Sequence, residues 1–359
     1  ALHVHRHQHE PAQREKSDRD RADRHRGRSA CPPDAGPGFL EGVADHEEGG
    51  HDERHERCGA HTGDQADPGF LLLYTRVAAY LRPDLADAVL TSAQILEQQG
   101  QLDLAAETFA KIPADSPLFH IAEMGRADTL IASGKVDAGI EVLQTLTRSH
   151  AELPAVHMAL ADALRTQERF AESITPYDEA IRRIGPPEPR HWAVFFARGI
   201  SHERNGDFKS AEADLRASLK LSPDQPSVLN YLGYSFVDRG ENLEEALGMI
   251  QRAVAAQPDS GAITDSLAWA YFRLGRYEDA VEPMERASLL EPVDPIVTDH
   301  LGDVYWAVGR KLEAQFQWRR ALSFDPEEKE AIRIRKKLEV GLDQVLIDEG
   351  KPPIAPVVA

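Results

Sequence analysis

The stretch Ile263–Pro292, ITDSLAWAYFRLGRYEDAVEPMERASLLEP, is followed three residues later by Ile296–Pro326, IVTDHLGDVYWAVGRKLEAQFQWRRALSFDP. The two align when Gly275 and Gly309 are both numbered position 15. Positions 7, 8, 11, 20, 24, 27 and 32 then hold Leu267, Ala268, Tyr271, Ala280, Met284, Ala287 and Pro292 in the first, against Leu301, Gly302, Tyr305, Ala314, Trp318, Ala321 and Pro326 in the second. Apolar residues at helical spacing on either side of a glycine, closed by a proline, describe two helices joined by a tight turn.

Working outward, the position-15 beat recurs at Gly100, Gly134, Gly206 and Gly240, with Glu168 filling the missing place, in steps of 34, 34, 38, 34, 35 and 34 residues. A period that regular marks stacked repeats rather than a closed globular fold. Position 8 is small throughout (Ala93, Ala127, Ala161, Gly199, Gly233, Ala268, Gly302), and so is position 20 (Ala105, Gly139, Ser173, Ala211, Ala246, Ala280, Ala314). Small residues at both places let two antiparallel helices approach closely. Glycine at 15 stops the first helix, and proline at 32 cannot continue the second.

This pattern resembles the tetratricopeptide repeat, slot for slot. The resemblance implies an all-α, right-handed solenoid of antiparallel helix pairs. Seven repeats are expected over residues 86–326, preceded by the second helix of an incomplete repeat at 69–85. A capping helix is expected at 327–346, its RIRKK cluster (Arg333 to Lys337) a solvated face and Ile332, Ile334, Leu338 and Leu342 covering the end of the stack, with a flexible tail at 347–359. The turn GENLEEA carries one extra residue, and GPPEPRHW adds four between repeats three and four. Pro176 and Pro283 fall inside second helices, where a missing amide favours a kink.

The first 68 residues have a different vocabulary. They contain no Ile, Met, Asn, Tyr or Trp, yet hold nine of the fifteen His and both Cys, Cys31 and Cys58. The stretch HDERHERCGAHTGDQ, where the partner of the 69–85 helix belongs, has no apolar stripe. Residues 1–68 read either as a disordered tail or as a non-native, frameshifted translation of further repeats. His3, His5, His7 and His9 alternate, and His51, His55, Cys58 and His61 have metal-ligand spacings, but no second Cys pair or apolar frame supports a site. No metal and no cofactor is expected.

Nothing in the repeats recommends catalysis. There is no phosphate-binding glycine loop, no HExxH and, from Gly69 on, no Cys. His202, at position 11, reads as a packed core histidine. The longest apolar burst, FLLLYTRVAAYL, is interrupted by Arg76 and too short to span a membrane. Residues 69–359 hold 31 basic and 45 acidic residues, a balance of −14, which disfavours nucleic acid and anionic lipid.

Binding is the expected role. Positions 2, 5, 9 and 12 of each first helix share one stripe, which in the resembling family lines the concave groove. Here that stripe carries Phe196 and Ile200; Asn230, Tyr234 and Val237; Asp265, Trp269 and Phe272; then Ile296, Asp299, Asp303 and Trp306. Aromatic rings supply contact area, while Asn and Asp bond an extended backbone or meet a Lys or Arg of a protein or peptide partner. Tyr234, Trp269 and Trp306 equally suit packing between adjacent first helices. Family members that clamp a chaperone's C-terminal carboxylate use Lys, Arg and Asn, where repeats five to seven present acids.

The last three repeats are also similar to those of proteobacterial envelope lipoproteins that partner a carboxyl-terminal processing protease. That resemblance implies a non-catalytic scaffold or adaptor, in cell-envelope proteolysis or assembly, with the periplasm favoured over the cytoplasm. The alternative is the repeat module of a transferase or protease complex whose catalytic part lies elsewhere.

Overall fold

The computed structural model describes residues 67–82 and 84–354. The chain divides into two units, Ala1–Gly63 and Asp64–Ala359, and the second contains the described residues. Both readings of the N-terminal segment, and the His and Cys spacings within it, lie outside the described residues.

The second unit is helical throughout its described length, with no strand. After α1 (Pro68–Leu81), seven pairs follow: α2 (Ala86–Gln98) with α3 (Leu102–Phe109), α4 (Phe119–Ala132) with α5 (Val136–Ser149), α6 (Pro154–Thr166) with α7 (Phe170–Ile184), and α8 (Trp192–Arg204) with α9 (Phe208–Leu221). The series continues with α10 (Pro226–Arg239) and α11 (Leu243–Ala256), α12 (Gly261–Arg273) and α13 (Tyr277–Leu290), and α14 (Pro295–Ala307) and α15 (Lys311–Leu322). Two further helices, α16 (Glu328–Val340) and α17 (Leu342–Asp348), close the order. Each helix packs on its pair-mate and on the next pair, as a solenoid requires.

The beat has a backbone cause. Gly275 sits at φ +74°, and beyond it the Arg276 amide reaches back to the Tyr271 carbonyl at 2.9 Å, satisfying a carbonyl that the helix end would orphan. Glu168 adopts the same left-handed turn at φ +57°, with Arg169 bonded to Leu164 at 2.9 Å. The turn geometry therefore survives where the glycine does not. In GENLEEA the extra residue is absorbed by two left-handed positions, Gly240 and Asn242.

Close approach explains the small residues. A Cβ added to Gly139, at position 20, would lie 2.7 Å from the Ala127 carbonyl of the facing helix, and one added to Gly302 would meet the Trp318 ring at 2.4 Å. The buried series Phe109, Leu143, Tyr177, Leu215, Ile250, Met284 and Trp318 fills position 24 along the stack. His202 is mostly buried, 3.9 Å from both Asp207 and Asp214. The helices α7 and α13 continue through Pro176 and Pro283.

The C-terminal end differs from expectation. Instead of one capping helix there are two, broken at Gly341, whose φ of +84° and contact with the Trp306 ring leave no room for a side chain. The expected free tail is partly fixed: α17 runs to Asp348, and the Ile354 amide donates to Asp343 Oδ1 at 3.0 Å. Ile334 and Leu342 are buried as expected, but Ile332 is exposed. RIRKK is a solvated face only in part: Arg335 is exposed, but Lys337 is only 1% exposed.

Candidate binding groove on the inner face

The inner stripe begins with the first helices, whose positions 5, 9 and 12 recur on one side of each rod. At α8 and α10 this side is aromatic and half-open. Phe196 lies edge-on to Tyr231, centroids 5.7 Å apart, and Ile200 is half-buried one turn on. The Tyr231 hydroxyl donates to Glu203 at 3.0 Å; burial and that carboxylate hold its pKa above the usual phenol range. Asn230 is half-buried, and its Oδ1 is enclosed without a hydrogen-bond partner. Burial and the Asp265 and Asp238 carboxylates push the half-buried Tyr234 up to about 12.

Further along, the stripe closes. Trp269 stacks on Phe272 at 4.7 Å and on His300 at 4.0 Å, and the His300 Nδ1 lies 3.0 Å from Asp265. Burial works against an imidazolium at His300, but Asp265, with Asp299 and Asp303 beyond it, outweighs burial and raises its pKa. The Lys337 ammonium, from α16, donates to Asp299 at 2.6 Å and to both Asp303 oxygens at 2.7 and 2.8 Å. The Trp318 indole N–H donates to the same Asp303 at 2.9 Å. Burial lifts the Asp299 carboxyl above its ordinary range; Lys337 opposes the rise and Asp303 adds to it. Trp306 is held by the C-terminal segment, its indole N–H donating to Asp343 at 2.8 Å and its ring lying under the Lys311 ammonium at 4.6 Å.

Five of the twelve expected stripe residues are therefore corrected. Val237, Asp265, Phe272, Asp299 and Asp303 are buried and present nothing to a ligand. The three acids do meet basic side chains, but these are the chain's own His300 and Lys337. Ile296 is exposed at the head of α14. Phe196, Ile200, Asn230, Tyr234 and Trp269 remain partly open, and Trp306 is half-buried against Gly341.

The structure adds residues that the stripe reading passed over. Glu97 at position 12 of the first repeat, and Asp128 and Asp162 at position 9 of the next two, form an acidic group on the same face. Thr129 donates to Glu97 at 3.1 Å, and the Tyr177 hydroxyl donates to Asp162. Asp128 is exposed, yet the walls around it and the Glu97 and Asp162 carboxylates raise its carboxyl to about 6. Applying positions 9 and 12 to repeats one to three, as to the later repeats, finds these acids in the sequence. Among the described residues, no group of three or more His, Cys, Asp and Glu is placed to hold a metal ion, and no helix is long and apolar enough to cross a membrane.

A family model described as tetratricopeptide repeat matches residues 124–189, 196–261 and 235–289. A TPR repeat-containing protein of Pseudomonas aeruginosa is 30% identical over 190 residues, 52% of this chain and 31% of its own length. Cellulose synthase operon protein C of Xanthomonas axonopodis is 25% identical over 220 residues, 55% of this chain and 14% of its own. The chain thus spans a third or less of these curated relatives. Among solved structures, the Cut9–Hcn1 hetero-tetramer of the APC/C aligns with TM-score 0.57 at 18% identity, over 77% of this chain and 52% of that one. A tetratricopeptide repeat protein from Parabacteroides merdae aligns with TM-score 0.52 at 16% identity, over 76% of this chain and all of that one. Such identities speak to the fold alone. Repeat period, left-handed turns, helix pairing and these matches agree: the chain carries tetratricopeptide repeats.

Proposed function

We propose that the inner face of repeats one to six binds a protein segment that carries Lys or Arg beside apolar side chains. Tetratricopeptide repeats bind proteins or peptides, and the chain is an interaction scaffold in that general sense. The observation that carries the finer reading is the placement of half-open rings, Phe196, Tyr231 and Trp269, on the face that also holds Glu97, Asp128 and Asp162. Rings anchor by area, while carboxylates that face water select cations and speed their approach, Asp162 sharing its charge with Arg165 at 3.4 Å. A role in cell-envelope proteolysis or assembly goes with this proposal, resting on the resemblance of repeats five to seven to envelope lipoproteins.

A peptide array of graded charge and apolar content tests it. Wild-type protein is expected to retain basic-apolar peptides and release them as salt rises. The double variant Asp128→Lys, Asp162→Lys loses them at unchanged helicity, and Phe196→Ala weakens them about tenfold, as a moderate anchor does. Equal retention of acidic peptides, or indifference to these substitutions, overturns the reading.

A further inference from the structure

The helix α1 has a side that no described residue covers. Phe70, Leu73, Tyr74, Val77, Tyr80 and Leu81 recur with a period of 3.5 residues, the spacing of a helix–helix seam. All six are exposed, Tyr74 at 69% and Tyr80 at 85%. The opposite side of α1 is engaged normally: Leu72 and Ala79 pack on the core of the first repeat, and Ser92 donates to Thr75 at 2.8 Å.

The shape of the uncovered side says what fits there. In each of the seven pairs, position 20 is Ala, Gly or Ser and faces the pair-mate closely enough that Gly139 has no room for a Cβ. The same register, set by Pro83 at position 32, puts Leu71 at position 20 of α1 and Thr75 at position 24, where every other repeat has a large apolar residue. A helix pairing as the seven pairs do would collide with Leu71. What fits is a wider contact, with large side chains interlocking from both partners.

We propose that α1 packs antiparallel against α1 of a second copy of this chain, making a two-fold dimer. A two-fold axis across the helix gives the antiparallel arrangement by symmetry, and one self-complementary stripe serves both sides. Charge permits it: residues 69–359 carry a balance of −14, but Arg76 is the one charged residue within α1, so repulsion between copies is weakest here. Area favours it too. The three rings alone expose about 400 Å², more than the few hundred Å² that a monomer ordinarily leaves contiguous. Leu73, Val77 and Leu81 carry the stripe toward the roughly 800 Å² per partner of a stable interface.

The test is the mass of the full chain by light scattering after gel filtration, across a dilution series. Wild type is expected at twice the chain mass, and Tyr74→Glu with Leu81→Glu at the chain mass, with unchanged circular dichroism showing that the repeats remain folded. A second variant, Tyr80→Arg, changes the most exposed ring and is expected to raise the dimer dissociation constant at least tenfold. A monomeric wild type overturns the proposal, whatever else covers α1. So does a dimer that survives the double substitution, since it is then built on another face.

Discussion

The two ends of the inner stripe use the same residue type at the same repeat positions with opposite outcomes. Asp128 and Asp162, at position 9 of repeats two and three, face solvent beside Glu97. Asp303, at position 9 of repeat seven, is fully buried and bonded to Lys337 and Trp318. The difference lies in what stacks next. After repeat two comes a pair whose stripe adds Asp162 and one base, Arg165, 3.4 Å from Asp162, and after repeat three comes a stripe of Phe196, Ile200 and Glu203. After repeat seven comes α16, which brings Lys337 and Arg333 to the positions that face Asp299 and Asp303. A stripe position fixes direction, and the neighbour decides whether that direction ends in water or in a partner.

The sharpest way to break the comparison is to remove the neighbour's charge. Lys337→Met keeps most of the aliphatic stem but leaves two buried carboxylates without the ammonium bonded to them, Arg333 standing 3.7 Å or more away. Removing one partner of a buried pair costs about 3–5 kcal/mol, so urea denaturation should lose that much, with the C-terminal pair melting first. Adding Asp299→Asn and Asp303→Asn to Lys337→Met should return part of the loss, since the uncompensated charges then go as well. A Lys337→Met protein as stable as wild type would mean that the closed end is closed by packing alone.

A smaller effect separates the rings. Trp306 is clasped by Gly341, Asp343 and Lys311, whereas Phe196 touches Trp192 and Tyr231 with one side open. Trp306→Ala should cost about 3 kcal/mol, near the value for truncating a packed ring, and Phe196→Ala about 1 kcal/mol. Thermal unfolding checks both, and equal losses would erase the distinction between a structural ring and a ring held in reserve for a ligand.

Much of this was legible in the sequence because helix pairs are local. Gly275 with Ala268 and Ala280 gives turn, close approach and pairing within twenty residues, and even Glu168 kept its place in the count. The stripe was legible as a direction, but not its burial. Lys337 lies 34 residues from Asp303 in a helix that lacks the repeat's signature slots, and RIRKK on its own has the composition of a solvated face. The break at Gly341 depends on the Trp306 ring beneath it, a contact that no local spacing encodes. Leu71 could have been read as an oversized position 20, since Pro83 already set the register.

The smallest expected effect tests the open end by its protons. Asp128 takes up its proton near pH 6 in the folded chain and near 3.9 when unfolded. Between those values the folded state binds more protons than the unfolded one, so stability contributed by this group rises as pH falls from about 6 toward 4 and is absent at neutral pH. Asp128→Asn removes the repulsion that Glu97 and Asp162 exert on Asp128. It should therefore stabilise slightly at pH 7.5, by roughly 0.5 kcal/mol or less because solvent screens an exposed group, and give no gain at pH 4. Binding runs the other way. A ligand cation needs the ionised carboxylate, so affinity for a basic peptide should fall as pH drops through 6 in wild type and be weaker but flatter in the variant. At the closed end, Lys337 already holds the corresponding acids. A pH profile that follows Asp303→Asn rather than Asp128→Asn would place the cation site at the wrong end of the stripe.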